Sequence, residues 1–144
     1  MRLHLPSEAP RAPDPIGDLL QYSGTIAVVG LSSNPSRPSY VVSSYLQSVG
    51  YRIIPVNPNE SEVLGEKSYP RLDDIPVPVD IVDVFRRPEH LAPIADAAIR
   101  IRAKSLWLQL GIENSSAAAK ACEAGLLVVE DACLLIEHKL RHPR

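Results

Sequence analysis

The chain has 144 residues, which is typical of one domain, and its 45% of apolar residues is enough for a buried core. Fifteen basic and seventeen acidic residues give a formal net charge of −2, so the chain lacks the basic excess that binds a nucleic-acid backbone. No apolar run reaches the length of about 18 residues that a transmembrane helix needs, and we therefore expect neither nucleic acid nor a membrane among its partners.

The first 15 residues differ in composition from the rest, because they contain four of the fourteen prolines and no apolar stretch typical of a secretory signal. We predict that residues 1–15 form an extended proline-rich arm and that residues 16–144 form one domain. The two cysteines, Cys122 and Cys133, do not have the spacing of a disulfide framework. These features are typical of a cytoplasmic protein with reduced thiols.

After the arm, short apolar runs alternate with segments of helical periodicity. Runs rich in β-branched residues, without polar alternation, are typical of strands buried on both faces of a sheet. We predict strands at residues 25–29, 51–56, 79–85, 105–110 and 126–129. Helices are expected at residues 14–22, 38–49, 88–102, 115–124 and 131–140, the last with Asp131 as its N-cap.

Residues 57–78 are rich in proline and less regular, and there we expect only single helical turns at residues 60–64 and 72–75. Elsewhere the alternation of strands with helices favours parallel pairing and right-handed crossovers. The predicted fold class is therefore α/β, a Rossmann-like three-layer fold with a mostly parallel five-stranded sheet.

In an open parallel sheet, ligands bind beyond the carboxyl ends of the strands, so the segments that follow the strands are the candidate site. The first of them, residues 30–39, is rich in glycine and serine and leads from a buried strand into a helix. Pro38 suits the first turn of that helix. Free amides near Ser39 and Tyr40, together with the Arg37 guanidinium, would suit a phosphate, and we predict an anion site here.

The same loop lacks the signatures of two common nucleotide sites. The dinucleotide fingerprint needs glycines where this chain has Ser32 and Pro35, and the acid that binds a ribose is replaced by Asn57. No Gly-Lys-Ser/Thr sequence of a P-loop follows. NAD bound in the usual mode is disfavoured, although a sensor domain for a nicotinamide or another nucleotide is an open alternative.

Two further segments follow strands. Arg86 and Arg87 would suit a ligand that carries an additional phosphate on its ribose, or they form a surface group that compensates Glu89. Asn57 and Pro58 would border an adenine or a ribose, or they form a simple turn.

Five segments, taken in order, resemble one family, the small stand-alone CoA-binding proteins, which are similar to the nucleotide-binding domain of the succinyl-CoA synthetase alpha subunit. The resemblance spans residues 16–140 and implies a Rossmann-like fold that binds coenzyme A or an acyl-CoA as its cofactor. The segments that carry it are Gly30-Leu31-Ser32, Arg37-Pro38-Ser39, Pro55-Val56-Asn57-Pro58, Asp80-Ile81-Val82-Asp83-Val84-Phe85-Arg86 and Trp107-Leu108-Gln109-Leu110-Gly111-Ile112.

The resemblance also implies roles for the matching residues. The first loop would bind the phosphates, the second would border the adenosine, the third would flank the nucleotide, and the fourth would lie near the pantetheine. The predicted site is Gly30, Leu31, Ser32, Ser33, Arg37, Pro38, Ser39, Val56, Asn57, Pro58, Phe85, Arg86, Arg87, Gly111 and Ile112. The family often has Asp-Arg-Cys after the last strand, where this chain has Asp131-Ala132-Cys133, so a role for that arginine is not expected.

The related CoA ligases use a phosphorylated histidine and nucleotide-binding parts on further domains. A chain of 144 residues leaves no room for those domains, so we expect a binding module without turnover of its own, with a protein partner or self-association left open. A small CoA-dependent transferase or thioesterase acting through His90 or Cys133 is the alternative. His138 and His142 are four residues apart, but no third ligand accompanies them, so no metal site is predicted. No residue is assigned a catalytic role.

Overall fold

Six strands form the central sheet in the computed structural model, which describes residues 1–9 and 12–141. In chain order the strands of this sheet are β1 (Arg2–His4), β2 (Thr25–Val29), β3 (Arg52–Val56), β6 (Ile81–Val84), β7 (Ser105–Leu108) and β8 (Leu127–Glu130). A separate hairpin contains β4 (Glu62–Val63) and β5 (Glu66–Lys67). The spatial order in the sheet is β1-β8-β7-β6-β2-β3, and all neighbours except β1 and β8 pair in parallel.

Helices cover both faces of the sheet, which confirms the predicted three-layer α/β fold. The helices are α1 (Pro15–Tyr22), α2 (Pro38–Ser48), α3 (Leu91–Arg100), α4 (Ser115–Glu123) and α5 (Leu134–Arg141). Buried side chains of α1, α2 and α5 pack with one face of the sheet, and those of α3 and α4 pack with the other. In the described ranges, no helix has both the length and the apolar character needed to cross a membrane.

The central strands are mostly apolar because both of their faces are covered, and their buried polar exceptions are Asp83 and Ser105. Every residue of β6 and β7 is buried, and in β2 only the first residue is partly exposed. Trp107, at the centre of β7, is fully buried and its indole nitrogen donates to the Ala132 carbonyl at 2.9 Å. This residue is therefore part of the core and does not contact the candidate site.

The sixth strand corrects the predicted count of five. Residues of the expected extended arm form β1, which runs antiparallel to β8 and places Leu3 opposite Val129. His4 Nε2 lies 2.7 Å from the buried Glu130 carboxylate, across a sequence separation of 126 residues. β1 escapes prediction because it has only three residues, and its stability depends on this distant pairing.

The prediction of a helical turn at residues 60–64 is wrong, because this segment forms part of the β4–β5 hairpin. Leu64 and Gly65, which connect the two strands, both have positive φ, at 56° and 77°. Two central residues with positive φ give a hairpin turn whose twist matches that of the strands. The other expected turn is confirmed, since Leu72–Asp74 forms one turn of 3₁₀ helix.

The last helix begins at Leu134, so the prediction of Asp131 as its N-cap is wrong. Asp131 has a φ of 56°, and its carboxylate accepts the backbone N–H of Gly111 at 2.7 Å. The side chain therefore ties the segment after β8 to the segment after β7. The helix predicted from residue 88 begins as a short 3₁₀ turn, Pro88–His90, before α3.

Candidate functional site

The carboxyl ends of the five parallel strands meet at one edge of the sheet, and two cavities open there among the described residues. They share Gly30 and Arg86 as a common wall. We call them the β3-side cavity and the β8-side cavity, after the strand toward which each extends.

The β3-side cavity has a volume of about 370 Å³ and lies between the ends of β2 and β3, the 3₁₀ turn Leu72–Asp74 and α3. Its lining residues are Val29, Gly30, Val56, Pro58, Pro70, Arg71, Leu72, Asp73, Arg86, His90, Pro93, Ile94, Ala97 and Arg100. Valine, proline and leucine side chains make this a mostly apolar pocket with arginines at its border, which suits the flat ring of a base beside a phosphate.

The β8-side cavity has a volume of about 690 Å³ and extends from the loop after β2 to the start of α5. Its lining residues are Gly30, Ser32, Arg37, Pro38, Ser39, Val42, Phe85, Arg86, Arg87, Pro88, Gln109, Leu110, Gly111, Ile112, Cys133 and Ile136. The cavity is polar and cationic at the β2 end and apolar at the β8 end.

The loop of residues 30–39, which we call the serine loop, is held in shape by its own hydrogen bonds. The Ser32 amide donates to Ser39 Oγ at 3.1 Å, and the Asn34 amide donates to Ser32 Oγ at 3.0 Å. The Arg37 amide donates to the Asn34 carbonyl at 3.0 Å. Because these bonds are all internal to the loop, they preorganise it for binding.

Gly30 is required by the close packing of the serine loop on the end of β6. Its φ is 87°, and a Cβ atom at this position would lie 2.8 Å from the Phe85 carbonyl oxygen and 3.0 Å from Arg86 Cδ. A side chain here would be strained by the backbone conformation and would also clash with the neighbouring strand. Glycine therefore lets the two segments that share the wall of both cavities approach each other.

The start of α2 differs in one respect from the prediction. The Tyr40 amide donates to the Arg37 carbonyl at 3.1 Å, so it is not a free donor as expected. Among the described residues no side chain caps the helix at Arg37, and Pro38 stands at the first helical position. The positive end of the helix dipole therefore lies at Pro38 and Ser39, which line the β8-side cavity.

One backbone amide of the serine loop is already hydrogen-bonded to a carboxylate. The Ser33 N–H donates to Glu60 Oε2 at 2.8 Å. Hydrogen bonding to the side chain and backbone of Ser33 holds the pKa of Glu60 below its usual range. Glu60 thus shows that this end of the loop binds an anionic oxygen, and it puts a negative charge beside the expected phosphate position.

Asn57 and Leu31 support the serine loop and do not line either cavity. The Asn57 side-chain amide donates to the Leu31 carbonyl at 3.1 Å, and Leu31 is fully buried. The Asn57 carboxamide oxygen accepts the Asn59 amide at 3.0 Å. Both polar atoms of this side chain are therefore engaged with the backbone at the end of β3.

The arginines of the site fall into two groups. Within the described part of the chain, Arg37, Arg86 and Arg87 form no ion pair and are exposed, and the surface group with Glu89 is not observed. In contrast, Arg71 and Arg100 pair with Asp74 and Asp73 at 3.2 and 2.9 Å. The three unpaired arginines, Arg37, Arg86 and Arg87, all line the β8-side cavity, so their charge is available to an anion there.

Twelve of the fifteen predicted site residues line one cavity or the other; Leu31, Ser33 and Asn57 do not. The sequence analysis missed apolar contributors, among them Val29, Pro70, Leu72, Pro93, Ile94 and Ala97 on the β3 side and Val42, Pro88, Leu110 and Ile136 on the β8 side. Their only signal is that they flank strand ends or lie on helices next to them, which is equally typical of core residues.

The two candidates for catalysis lie on opposite sides of the common wall. His90 lines the β3-side cavity and Cys133 lines the β8-side cavity. Residues 1–9 and 12–141 contain no group of three or more His, Cys, Asp or Glu side chains that would hold a metal ion. His142, the second histidine of the spaced pair, lies outside the described residues.

Below this edge, β6 carries a buried carboxyl group. Asp83 is fully buried, and neither carboxyl oxygen has a hydrogen-bond partner among the described residues. Its strand neighbours are Val28 and Trp107. Burial in this apolar environment raises the pKa of Asp83 well above its usual range, which favours the neutral acid.

Comparison with known proteins places this chain in a family. The model of the CoA binding domain family matches residues 24–139. The Bacillus subtilis protein YneT is 44% identical over 123 residues, which cover 85% of this chain and 91% of YneT. A hypothetical protein from Pyrococcus horikoshii has a solved structure with a TM-score of 0.86 and 38% identity, covering 94% of this chain and 99% of that one.

An enzyme contains a related segment. The Archaeoglobus fulgidus ADP-forming acetate–CoA ligase II is 34% identical over 76 residues, which cover 51% of this chain and 11% of the ligase. The match is therefore to a small part of that enzyme.

Proposed function

This chain belongs to the CoA-binding domain family, and we propose that it binds coenzyme A or an acyl-CoA across the carboxyl edge of its sheet without catalysing a reaction. The observation that carries the proposal is the group of three unpaired arginines, Arg37, Arg86 and Arg87, beside a preorganised glycine-serine loop. A ligand with a diphosphate and a further ribose phosphate matches that concentration of positive charge.

The diphosphate would lie at the serine loop and the start of α2. Ser32, Pro38 and Ser39 line the cavity at this point, and the Arg37 guanidinium provides paired donors for phosphate oxygens. The uncapped first turn of α2 adds the positive end of its dipole.

The adenosine would extend from there into the β3-side cavity. Val56, Pro58, Pro70 and Leu72 provide apolar walls for a base. Arg86 lines both cavities, so it stands between the proposed positions of the base and the diphosphate. We therefore assign the additional ribose phosphate to Arg86, and we place the pantetheine arm along Gly111 and Ile112 in the β8-side cavity.

NAD suits this edge less well. The residue that would have to bind the ribose hydroxyls at the end of β3 is Asn57, and its side chain is engaged with Leu31 and Asn59. The acid that does line the β3-side cavity, Asp73, is paired with Arg100 at 2.9 Å. A site whose acid is already paired, and which has unpaired arginines, favours coenzyme A.

The alternative enzyme, a transferase or thioesterase, would act through His90 or through Cys133, and these residues line different cavities. The imidazole lies on the proposed adenosine side of the wall, and the thiol lies on the pantetheine side. A general base has to reach the proton that it removes, directly or through one water. The arrangement therefore disfavours His90 as a base at the thioester. Acyl-CoA turnover that is lost in Cys133→Ala would support the enzyme alternative over binding alone.

The experiment is calorimetric titration of the protein with CoA, 3′-dephospho-CoA and NAD in parallel, followed by the variants Arg37→Ala and Arg86→Ala. We expect each variant to weaken CoA binding by about 1–3 kcal/mol, because a charge-assisted hydrogen bond is lost. Arg37→Ala should weaken CoA and 3′-dephospho-CoA alike. Arg86→Ala should weaken only CoA, since the dephosphorylated ligand lacks the group that Arg86 is assigned to bind.

The matched control is Arg52→Ala, which removes an exposed arginine at the amino end of β3, at the opposite edge of the sheet. It should leave the CoA affinity unchanged. Binding of NAD in preference to CoA would contradict the proposed ligand. Unchanged CoA affinity in both site variants would contradict the assignment of the phosphates.

A further inference from the structure

The far end of the β8-side cavity, beyond the proposed path of the pantetheine, has a chemistry of its own. We propose that it binds the acyl group of an acyl-CoA, and that it selects an uncharged aliphatic acyl chain over one that ends in a carboxylate. This inference rests on the proposed function and adds to it the class of thioester that the site prefers.

The lining of this end is aliphatic and open. Leu110 and Ile136 line the cavity and are nevertheless 66% and 48% exposed. Ile112 and Cys133 complete this end of the lining. Exposed apolar side chains that converge on a cavity mark a surface that an apolar group covers when it binds.

The position of these residues along the sheet matches the end of the ligand. The order β3-β2-β6-β7-β8 places the serine loop three strand spacings from the segment after β8. At about 4.8 Å per spacing, this separation is roughly 14 Å. The same cavity contains both ends, so a ligand whose diphosphate lies at the serine loop would carry its thioester toward Leu110 and Ile136.

The charges at this end disfavour an acidic acyl group. Within the described ranges, the arginines that line the cavity follow β2 and β6, at the phosphate end. Two carboxylates neighbour the lining residues of this end, since Asp131 accepts the Gly111 amide and Glu113 follows Ile112 in the chain. Each already faces a cation, with the amino terminus 3.8 Å from Asp131 and Arg2 4.0 Å from Glu113. Among the described residues, a ligand carboxylate would therefore find no unpaired cation at this end, and the carboxylates already there are paired.

The test compares two thioesters that differ in one group. Butyryl-CoA and succinyl-CoA both carry four acyl carbons, but succinyl-CoA ends in a carboxylate where butyryl-CoA ends in a methyl group. We expect butyryl-CoA to bind roughly tenfold more tightly than acetyl-CoA, because burial of each additional methylene contributes up to about fourfold. Succinyl-CoA should bind at least about tenfold more weakly than butyryl-CoA, because its carboxylate would lose water without gaining a partner.

Variants on α5 provide a matched pair. Ile136→Asn should reduce the advantage of butyryl-CoA over acetyl-CoA, since it replaces an apolar wall of the cavity. Leu140→Asn is the control, because Leu140 lies one helical turn further along the same helix, is also exposed, and lines neither cavity. Leu110→Arg should reverse the preference toward succinyl-CoA by providing the missing cation.

The outcomes separate this inference from the proposed function. Equal affinities for acetyl-, butyryl- and succinyl-CoA, with CoA itself bound, would overturn the inference and leave the proposed function intact. An Ile136→Asn protein that keeps the full preference for butyryl-CoA would also overturn it, because the acyl chain would then not contact this wall. If neither CoA nor any acyl-CoA binds, the proposed function fails and the inference fails with it.

Discussion

The β2 end and the β8 end of the sheet edge differ in how readily their chemistry can be predicted from the sequence. The β2 end presents glycine, serine and unpaired arginine, residues whose presence after a buried strand already indicates an anion site. The β8 end presents Leu110, Ile112 and Ile136, which have no distinctive spacing. A charged subsite is recognisable from composition, whereas an apolar subsite resembles the core until the fold shows that it is exposed.

The difference also has a physical consequence for binding. Charge attracts the ligand over a distance and orients it, while apolar contacts depend on area and shape. We therefore expect substitutions at the β2 end to change affinity for all CoA derivatives. Substitutions at the β8 end should change the preference among them.

The largest expected effect concerns β6, the strand that lies between the two ends. Asp83 is buried and unpaired among the described residues, and its pKa is raised above the unfolded value of about 3.9 by desolvation. Its contribution to stability is fully present below the unfolded pKa and is lost as the pH rises toward the folded pKa. Over that interval the loss is about 1.4 kcal/mol per pH unit.

Asp83→Asn removes this ionisation, so the variant should gain stability relative to the unmodified chain as the pH rises from 4. Urea unfolding of both proteins at several pH values measures the gap. The control is Asp80→Asn, at the residue that directly precedes β6. Burial alone would raise the pKa of Asp80, but hydrogen bonds from Gly24 and Thr25, with Lys104, lower it overall.

For Asp80 the sign is opposite, because a lowered pKa gives stability that is lost as the pH falls through the folded pKa. The gap between Asp80→Asn and the unmodified chain should therefore close at acid pH. A gap that stays constant with pH for Asp83→Asn would show that the carboxyl has a partner in solution. It would also show that β6, the strand between the two subsites, tolerates a buried charge.

The second effect concerns Gly30, the glycine that both cavities share. Gly30→Ala places a Cβ atom against the Phe85 carbonyl in a left-handed backbone. We expect a loss of about 3 kcal/mol in the free energy of unfolding, with weaker binding of every CoA derivative, because the serine loop has to move away from β6.

Gly125→Ala is the matched control. Gly125 follows α4 with a φ of 101°, and a Cβ atom there would meet nothing within 4 Å. It should cost only the backbone strain, about 1 kcal/mol, and should leave CoA affinity unchanged. Equal losses in the two variants would mean that the close approach at Gly30 contributes nothing to the site.

Much of the fold follows from the sequence because its signals are local. The β-branched runs of β2, β3 and β6 and the periodicity of α3 are each contained in one segment, so they predict the five parallel strands and their crossover helices. The pairing of β1 depends on β8 at the other end of the chain, and the hairpin turn depends on Leu64 in a left-handed conformation. Neither is encoded by a short apolar pattern.

The site divides in the same way. Asn57 is predicted to border the adenosine, and its side chain supports Leu31 through a hydrogen bond that no sequence spacing indicates. Leu110 and Ile136 become candidates only because the strand order β6-β7-β8 brings the ends of β7 and β8 beside the serine loop. Strand order is a property of the whole fold, and at this end only Gly111 and Ile112 are predicted, through the family resemblance and not through any local pattern.

The smallest expected effect belongs to the charged end, where Glu60 accepts the Ser33 amide. A carboxylate in that position opposes the approach of a diphosphate, so Glu60→Gln should raise affinity for CoA by about two- to fivefold, as for an exposed charge pair. Titration at low and high salt measures the effect, and the gain should shrink as the salt is raised.

Glu62→Gln is the matched control, since it removes the same charge from the exposed start of β4, where the side chain does not line either cavity. If both variants raise affinity equally, only the net charge of the protein matters. If Glu60→Gln lowers affinity, the carboxylate contributes more by holding the serine loop than it costs by repelling the ligand. A selective gain in Glu60→Gln, similar for acetyl-CoA and butyryl-CoA, would confirm that the β2 end sets affinity without setting acyl preference.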